Sequence, residues 1–434
     1  MSAKIDATVR AGLEKRLNLI QYPPLSYPLF ALFIMNMVIP LLDVPALGIS
    51  LTAPLFLMIV GDLLIHRIES RLGEYKRWIA LFTMIFLGLT LSLVLKQFFA
   101  NEFAIRGQDL LEILRYAYWN LVGFLTLYLA ASGGFNKKVV QIIAISVIAL
   151  AMIRLGDALF RGTIGSGVDY LVFTQNTYGL LFSSFVPFLF VPVVSGRRTI
   201  LWLWITFLVL LAVLINGSRA SWLSVSVSML VFFSLYASSR SKKAKPLVIL
   251  LILCVLLAGA LVILPDTVVS YLDARLNFIQ DVQKDESSAL RILLVQKGLR
   301  LFQRNPLLGV GFGRFTEYEV AIDIPREMQY ITASTVDSTS EHNSYIQILA
   351  ETGLMGTAPY LFLLLILFLA GFNSALELSR RGEIWALGIF VALIGMSVHF
   401  WFITGLRNTH PWVIYGLTAS IIQTAKQYRQ MSKE

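Results

Sequence analysis

The sequence predicts an all-α polytopic membrane protein of about 12 transmembrane helices with one large, partly helical loop on the outward side. Three observations predict it. Charged residues make up 14% of the 434 and hydrophobic residues 57%, with a mean hydropathy of +0.72, whereas soluble domains carry roughly 25% charge. Apolar runs of about 18 residues or more recur along the chain, each long enough to cross a hydrocarbon core of about 30 Å. Between them, Lys and Arg collect in alternate gaps.

In chain order, residues 1–20 are polar and basic (Lys4, Arg10, Lys15, Arg16) with no short apolar segment and cleavage site behind them. The first apolar run is therefore expected to stay as an anchor. Spans are predicted near 24–42, 45–65, 78–96, 110–131, 138–156, 171–193, 199–216, 220–237, 246–264, 355–372, 383–402 and 410–425. They divide the chain into nine N-terminal membrane helices (1–264), an outward loop with the candidate site helices (265–354) and three C-terminal membrane helices (355–434). The single cysteine, Cys254, permits no intrachain disulfide.

Every even-numbered gap is basic: Arg67, Arg71, Lys76 and Arg77 follow the second span, Lys137 and Lys138 the fourth, Arg197 and Arg198 the sixth. Arg240, Lys242, Lys243 and Lys245 follow the eighth, Arg380 and Arg381 the tenth, and Lys426, Arg429 and Lys433 the last. By the positive-inside rule these gaps and both termini are cytoplasmic. One missed helix would invert every later gap, so the alternation also checks the span count. Topology and anionic membrane lipids account for the net charge of +10, and no nucleic acid is needed as a partner.

The outward gap after Pro265 is roughly 75 residues long, and loops of that length are usually functional. Asp285-Glu286-Ser287-Ser288 reads as a helix start, followed by an apolar stripe to about Arg304. The other positions carry Arg291, Lys297, Arg300 and Arg304, which suggests an amphipathic helix on the outer leaflet whose last three cations touch lipid headgroups. Asn305-Pro306 ends it. Gly309, Gly311 and Gly313 then have neither the preceding strand nor the following helix of a dinucleotide fingerprint, and are expected to form a positive-φ turn against the membrane. Ser338-x-x-Glu341 reads as a capping box that starts a helix near Thr339 and carries His342, Tyr345 and Leu349 on one face, stopping at Gly353. A His there feels the positive end of the helix dipole, which favours its neutral, proton-accepting form.

His342-Asn343 with Gly353-x-x-Gly356 resembles the signature of bacterial O-antigen ligases. The run from Asn305 to Phe315, the Ser218-Arg219 pair between two spans and Arg291 on the loop helix resemble other segments of the wider O-antigen ligase and polymerase family. The resemblance implies a glycosyltransferase of the bacterial inner membrane with its large loop and active site in the periplasm. It would move a glycan from undecaprenyl pyrophosphate to a sugar hydroxyl of lipid A–core. The residue types suit that reaction. Arg219 and Arg291 can hold phosphate oxygens bidentately, and a neutral His342 can deprotonate the acceptor. Asn343, Tyr345, Ser218 and Arg314 are candidate supporting residues. The scheme is metal-independent, inverting and needs no cofactor. Two other readings stand beside it: a polymerase or O-linked protein oligosaccharyltransferase of the same family, and a lipid or solute transporter. A transporter should carry ionisable groups near mid-membrane, whereas Arg154, Asp157, Arg219, Arg407 and His410 gather at outward ends of spans.

Reporter fusions after Arg198 and after Lys245 are expected to report cytoplasm, and a fusion near Asp285 the opposite side. A cytoplasmic signal near Asp285 would remove the basis for an outward site.

Overall fold

The computed structural model describes residues 25–39, 52–65, 73–99, 107–132, 136–161, 175–195, 198–239, 249, 252–254, 285–340 and 342–432. Among them the secondary structure is helical, with short 3-10 turns and no strand. The helices are α1 (Ser26–Val38), α2 (Thr52–Ile65), α3 (Lys76–Phe99), α4 (Gly107–Ser132), α5 (Asn136–Arg161), α6 (Gln175–Phe185), α7 (Pro187–Val194), α8 (Thr199–Asn216), α9 (Arg219–Ser239), α10 (Glu286–Arg304), α11 (Ala333–Ser338), α12 (Ser344–Arg380), α13 (Trp385–His399) and α14 (Thr409–Met431). Six described segments are long and apolar enough to cross a membrane: α3, α5, α6 with α7, α8, α9 and α12. They coincide with six of the twelve expected spans. α1, α2 and α13 are apolar but shorter; most of the span expected at 246–264 lies outside the described residues, as do residues 1–24 and 265–284.

The outer faces are those of a chain solvated by lipid. Leu57, Ile145, Ile200, Leu365 and Leu369 are all more than half exposed or nearly so, a surface that water would not tolerate over so large an area. Inside, α14 packs along α4, α12 along α3, and α9 along α13. This is a multi-pass membrane protein. Its helix ends gather at two poles. At one, Lys137 pairs with Glu383 at 3.0 Å, Arg429 with Glu377 at 3.0 Å, and Ser239 with Ser379 at 2.9 Å. At the other lie the loop residues after α10 and the first turns of α4, α9 and α12.

The two poles are linked by α12, which is broken once. Gly353 has φ 58° and ψ −157°, a region essentially confined to glycine. The break separates two donors, Leu354 and Met355, from the carbonyls of Ala350 and Glu351 that a continuous helix would give them. The loop 305–311 re-pairs all four groups: Val310 and Gly311 donate to Ala350 and Glu351 at 2.9 Å each, while Leu354 and Met355 donate to Pro306 and Leu307 at 2.8 and 3.1 Å. Ser92 of α3 donates to the Leu308 carbonyl at 2.7 Å and lies 3.1 Å from that of Thr352. The glycine turn is thus pressed against α12 rather than against the membrane. A Cβ on Gly309 or Gly353 would collide with the opposing backbone.

Other expectations change. Ser338 is the last residue of α11, not the cap of the next helix, and the N-cap of α12 is Asn343, whose side chain accepts from Tyr345 and Ile346 N–H. Glu341 lies outside the described residues. α10 starts at its predicted cap, Asp285, but Lys297 is not at a lipid-facing surface, whereas Arg300 and Arg304 keep exposure. Lys297 is wholly buried, 3.1 Å from both the Asp337 carboxylate and the Asp337 carbonyl and over the Phe315 ring. Arg300 holds Asp323 and the Ala321 carbonyl, and Arg304 the Glu319 carbonyl. The chain after α10 folds back over that face and takes them as anchors.

Gly353→Ala should cost about 1–3 kcal/mol through strain and collision, read as a lowered melting temperature of the purified protein in detergent. Gly61→Ala, with open space around its Cβ position, should leave the melting temperature unchanged or raise it; equal behaviour of the two would deny the break its role.

Candidate active site

The turn between α8 and α9 consists of Gly217 and Ser218. Gly217 (φ 71°) caps α8, its N–H donating to Leu214 at 3.0 Å, and the Ser218 carbonyl accepts from Ser221 and Trp222. The chain therefore reverses in minimum length and presents Arg219 from the first turn of α9. Asp285 meets it there: its Oδ2 accepts from Arg219 Nη2 at 2.7 Å and from the Ser288 N–H at 2.9 Å. One carboxylate thus ties the α8–α9 turn to the start of α10. Burial pushes the Asp285 carboxyl upward, but hydrogen bonds from Arg219 and Ser288 and the Arg219 charge outweigh it and hold the group below its ordinary value. It stays ionised and keeps Arg219 in place.

Between these two helices lies a cavity of about 770 Å³. Its only charged lining side chains among the described residues are Arg219 and Arg291; no carboxylate lines it. Ser218, Asn176 and Ser287 add neutral polar groups, and Trp222, Leu223, Ile292 and Trp401 form apolar walls. Leu223, Ile292 and Trp401 are also widely exposed on the outer surface, so the cavity's apolar side opens where lipid would be. Such a site suits an anion attached to an apolar chain.

His342 precedes the α12 N-cap rather than riding the helix, and takes a left-handed φ of 47°. It does not line the cavity wall. It is half-buried, with Nδ1 lacking a hydrogen-bond partner. Burial first, then the positive charge of Arg291, lowers its pKa from the ordinary 6.5. The start of α12 is stitched down beside it: Ser344 N–H donates to Phe400 at 2.9 Å, and Ser344 Oγ donates to Ile403 at 2.6 Å while accepting from Gly405 N–H at 2.8 Å. Tyr345 donates to the Ser397 carbonyl at 2.9 Å and packs on Trp401, and Asn343 is spent on the cap. Arg314 is elsewhere. It is buried with both oxygens of Asp109 at 2.7 and 2.8 Å, and Arg407 similarly holds Glu351 and stacks on Phe312. Among the described residues no three His, Cys, Asp or Glu side chains converge as metal ligands would.

Residues 204–361 match a family model described as O-antigen ligase. Over that region the chain is similar to the O-antigen ligase family. No curated protein matches the chain. The matched O-antigen ligase region runs from α8 into the second half of α12 and so contains Arg219, Arg291, His342 and Gly353 together. Within it, sequence reasoning missed Asp285 as the partner of Arg219, having read it only as a helix cap. Outside it, Asn176, Trp401 and His399 were missed. His399 is buried with Nδ1 3.0 Å from Ser183 Oγ, behind the wall formed by Ser218. The one available signal was His399-Phe400-Trp401-Phe402, an aromatic group at the end of an apolar run, where interfacial anchors are common.

Since the folded pKa of His342 lies below 6.5 and the unfolded one near 6.5, the unfolded state takes up a proton first as pH falls. The contribution to stability is present above 6.5 and is lost on acidification. The melting temperature of the wild type should therefore fall relative to that of His342→Asn between pH 7.5 and 5.5; a constant difference would show a normally titrating histidine.

Proposed function

We propose that the chain is an O-antigen ligase, transferring a glycan from undecaprenyl pyrophosphate to a sugar hydroxyl of lipid A–core at the periplasmic face of the bacterial inner membrane. Residues 265–354 form the periplasmic part with its site helices, and 1–264 and 355–434 the membrane part, with both termini cytoplasmic. The observation that carries the reading is the cavity whose charged lining among the described residues is two arginines without a carboxylate, with apolar walls open toward lipid. The pyrophosphate sits between Arg219 and Arg291, whose guanidinium groups match phosphate oxygens bidentately and never lose their charge. The polyprenyl chain leaves along Leu223, Ile292 and Trp401. His342, neutral at pH 7, takes the proton of the acceptor hydroxyl as its oxygen bonds to the anomeric carbon. The bond from that carbon to the phosphate oxygen breaks, its electron pair leaves with the pyrophosphate, and the anomeric configuration inverts. The energy of the pyrophosphate linkage is already in the donor, so proton transfer and charge neutralisation suffice.

The test is transfer in vitro by purified protein in EDTA, from lipid-linked glycan to lipid A–core. Arg219→Ala or Arg291→Ala should abolish transfer and weaken donor binding, and the Lys variants should recover little, because a point charge lacks the planar fork. His342→Ala and His342→Gln should each lose about 10²–10⁴-fold in turnover while still binding donor. Product NMR should show inversion; retention would exclude the single displacement. Transfer only onto another lipid-linked glycan would identify a polymerase of the same family instead.

A further inference from the structure

At the pole away from the cavity, α3, α12 and α14 part to leave a second groove of about 460 Å³. Trp78, Leu81 and Ile422 line it deeply and Met84 and Phe362 form an exposed rim. Its mouth carries Arg77, Lys426 and Glu74. Some basic side chains at this pole are neutralised: Arg381 and Arg429 are both held by Glu377, and Lys137 by Glu383. Arg77 and Lys426 are not. Neither makes an ion pair or hydrogen bond with another described residue. From Glu74 to Met84 the helix rises about 15 Å, half the thickness of a hydrocarbon core of about 30 Å. The groove therefore has the depth of one leaflet, with its cations at headgroup level.

We propose that this groove binds a single anionic phospholipid. One acyl chain lies along Trp78, Leu81 and Phe362, and the phosphate sits between Arg77 and Lys426. Glu74 accepts a hydrogen bond from a hydroxyl-bearing headgroup such as glycerol. Charge complementarity selects this occupant. An apolar helix, whether from a partner or a second copy, would fill the groove but leave two cations without a counter-charge. A zwitterionic lipid would bring its own cation to a mouth that is already net positive. Paired basic residues between membrane helices on the anionic leaflet are the expected form of a lipid headgroup site.

The experiment uses full-length protein reconstituted in nanodiscs of phosphatidylethanolamine with phosphatidylglycerol, extracted mildly, with co-purifying lipid counted by native mass spectrometry. The wild type should retain phosphatidylglycerol over phosphatidylethanolamine. The double variant Arg77→Gln/Lys426→Gln should retain about tenfold less. Ala80→Trp, which fills the groove from an exposed lining position and keeps both cations, should also release the lipid. Lys138→Gln removes a similar charge outside the groove and should retain it. Unchanged retention in the double variant or in Ala80→Trp, no preference between the two lipids, or an equal loss from Lys138→Gln would overturn the site, as would a lipid-free dimer.

Discussion

The structure depends on the repair of one broken helix. In a lipid-facing bundle an unpaired peptide group costs several kcal/mol, and the break at Gly353 exposes two donors and two acceptors at once. All four are taken by the segment 306–311 in a mutual exchange. Neither partner can form alone: α12 without the loop would have to straighten, and the loop without the break would find no partners in its reach. The glycines at 309 and 353 are required from both sides, since each faces the other's backbone with no room for a side chain. Register follows. The segment continues directly from α10, so fixing it against α12 fixes α10 too, with Gly298 against Ile346. Arg291 is carried by α10 and His342 is the residue before the α12 cap, and their separation is set at this joint.

Charge is sorted around that joint. Lys297, Arg314 and Arg407 each meet a carboxylate in a buried or half-buried setting: Asp337, Asp109 and Glu351. Removing one partner of such a pair costs about 3–5 kcal/mol, so these cations are committed to holding the loop on the bundle. Arg219 is different in kind. Its carboxylate partner, Asp285, is also a helix cap and lies outside the cavity lining, so the arginine is oriented by it yet still faces the cavity. Arg291 shares that cavity. In the proposed reaction the same residue type would thus serve as strut or as anion receptor, according to whether it lines the cavity.

That sorting explains what could be read from the sequence. The helices α3, α5, α8, α9 and α12 were legible because a run of about 20 apolar residues has few other solutions in a chain so poor in charge. The start of α10 was legible because its cap lies next to it in sequence. The start of α12 was not: Ser338 and Asn343 both have capping chemistry, and the choice was made by contacts with residues 400–405, nearly sixty positions away. The fate of Lys297 was equally hidden, for an amphipathic stripe shows that a face is buried but not by what, and the cover came from Asp337 and Phe315. Arg219, Arg291 and His342 were singled out through motif resemblance, whereas the cavity's apolar walls come from α9, α10 and the turn after α13. No local pattern announces such convergence.

The neighbourhood of Arg291 and His342 has a consequence for the order of events in the proposed reaction. Burial and the guanidinium charge of Arg291 both disfavour a proton on His342. That leaves the ring neutral but also a weak base. In the proposed reaction a pyrophosphate bound to Arg291 would bring at least two negative charges close to the same ring and offset the cation's effect. An adjacent anion raises the proton affinity of a histidine, so His342 would become a stronger base once the proposed donor is seated and an acceptor proton must be taken. The two arginines would then act twice, holding the leaving group and tuning the base through the charge they bind. His342 lies off the cavity wall. Proton acceptance and leaving-group binding would therefore stay separate, as a displacement requires when the nucleophile must approach the anomeric carbon from the face the pyrophosphate does not occupy.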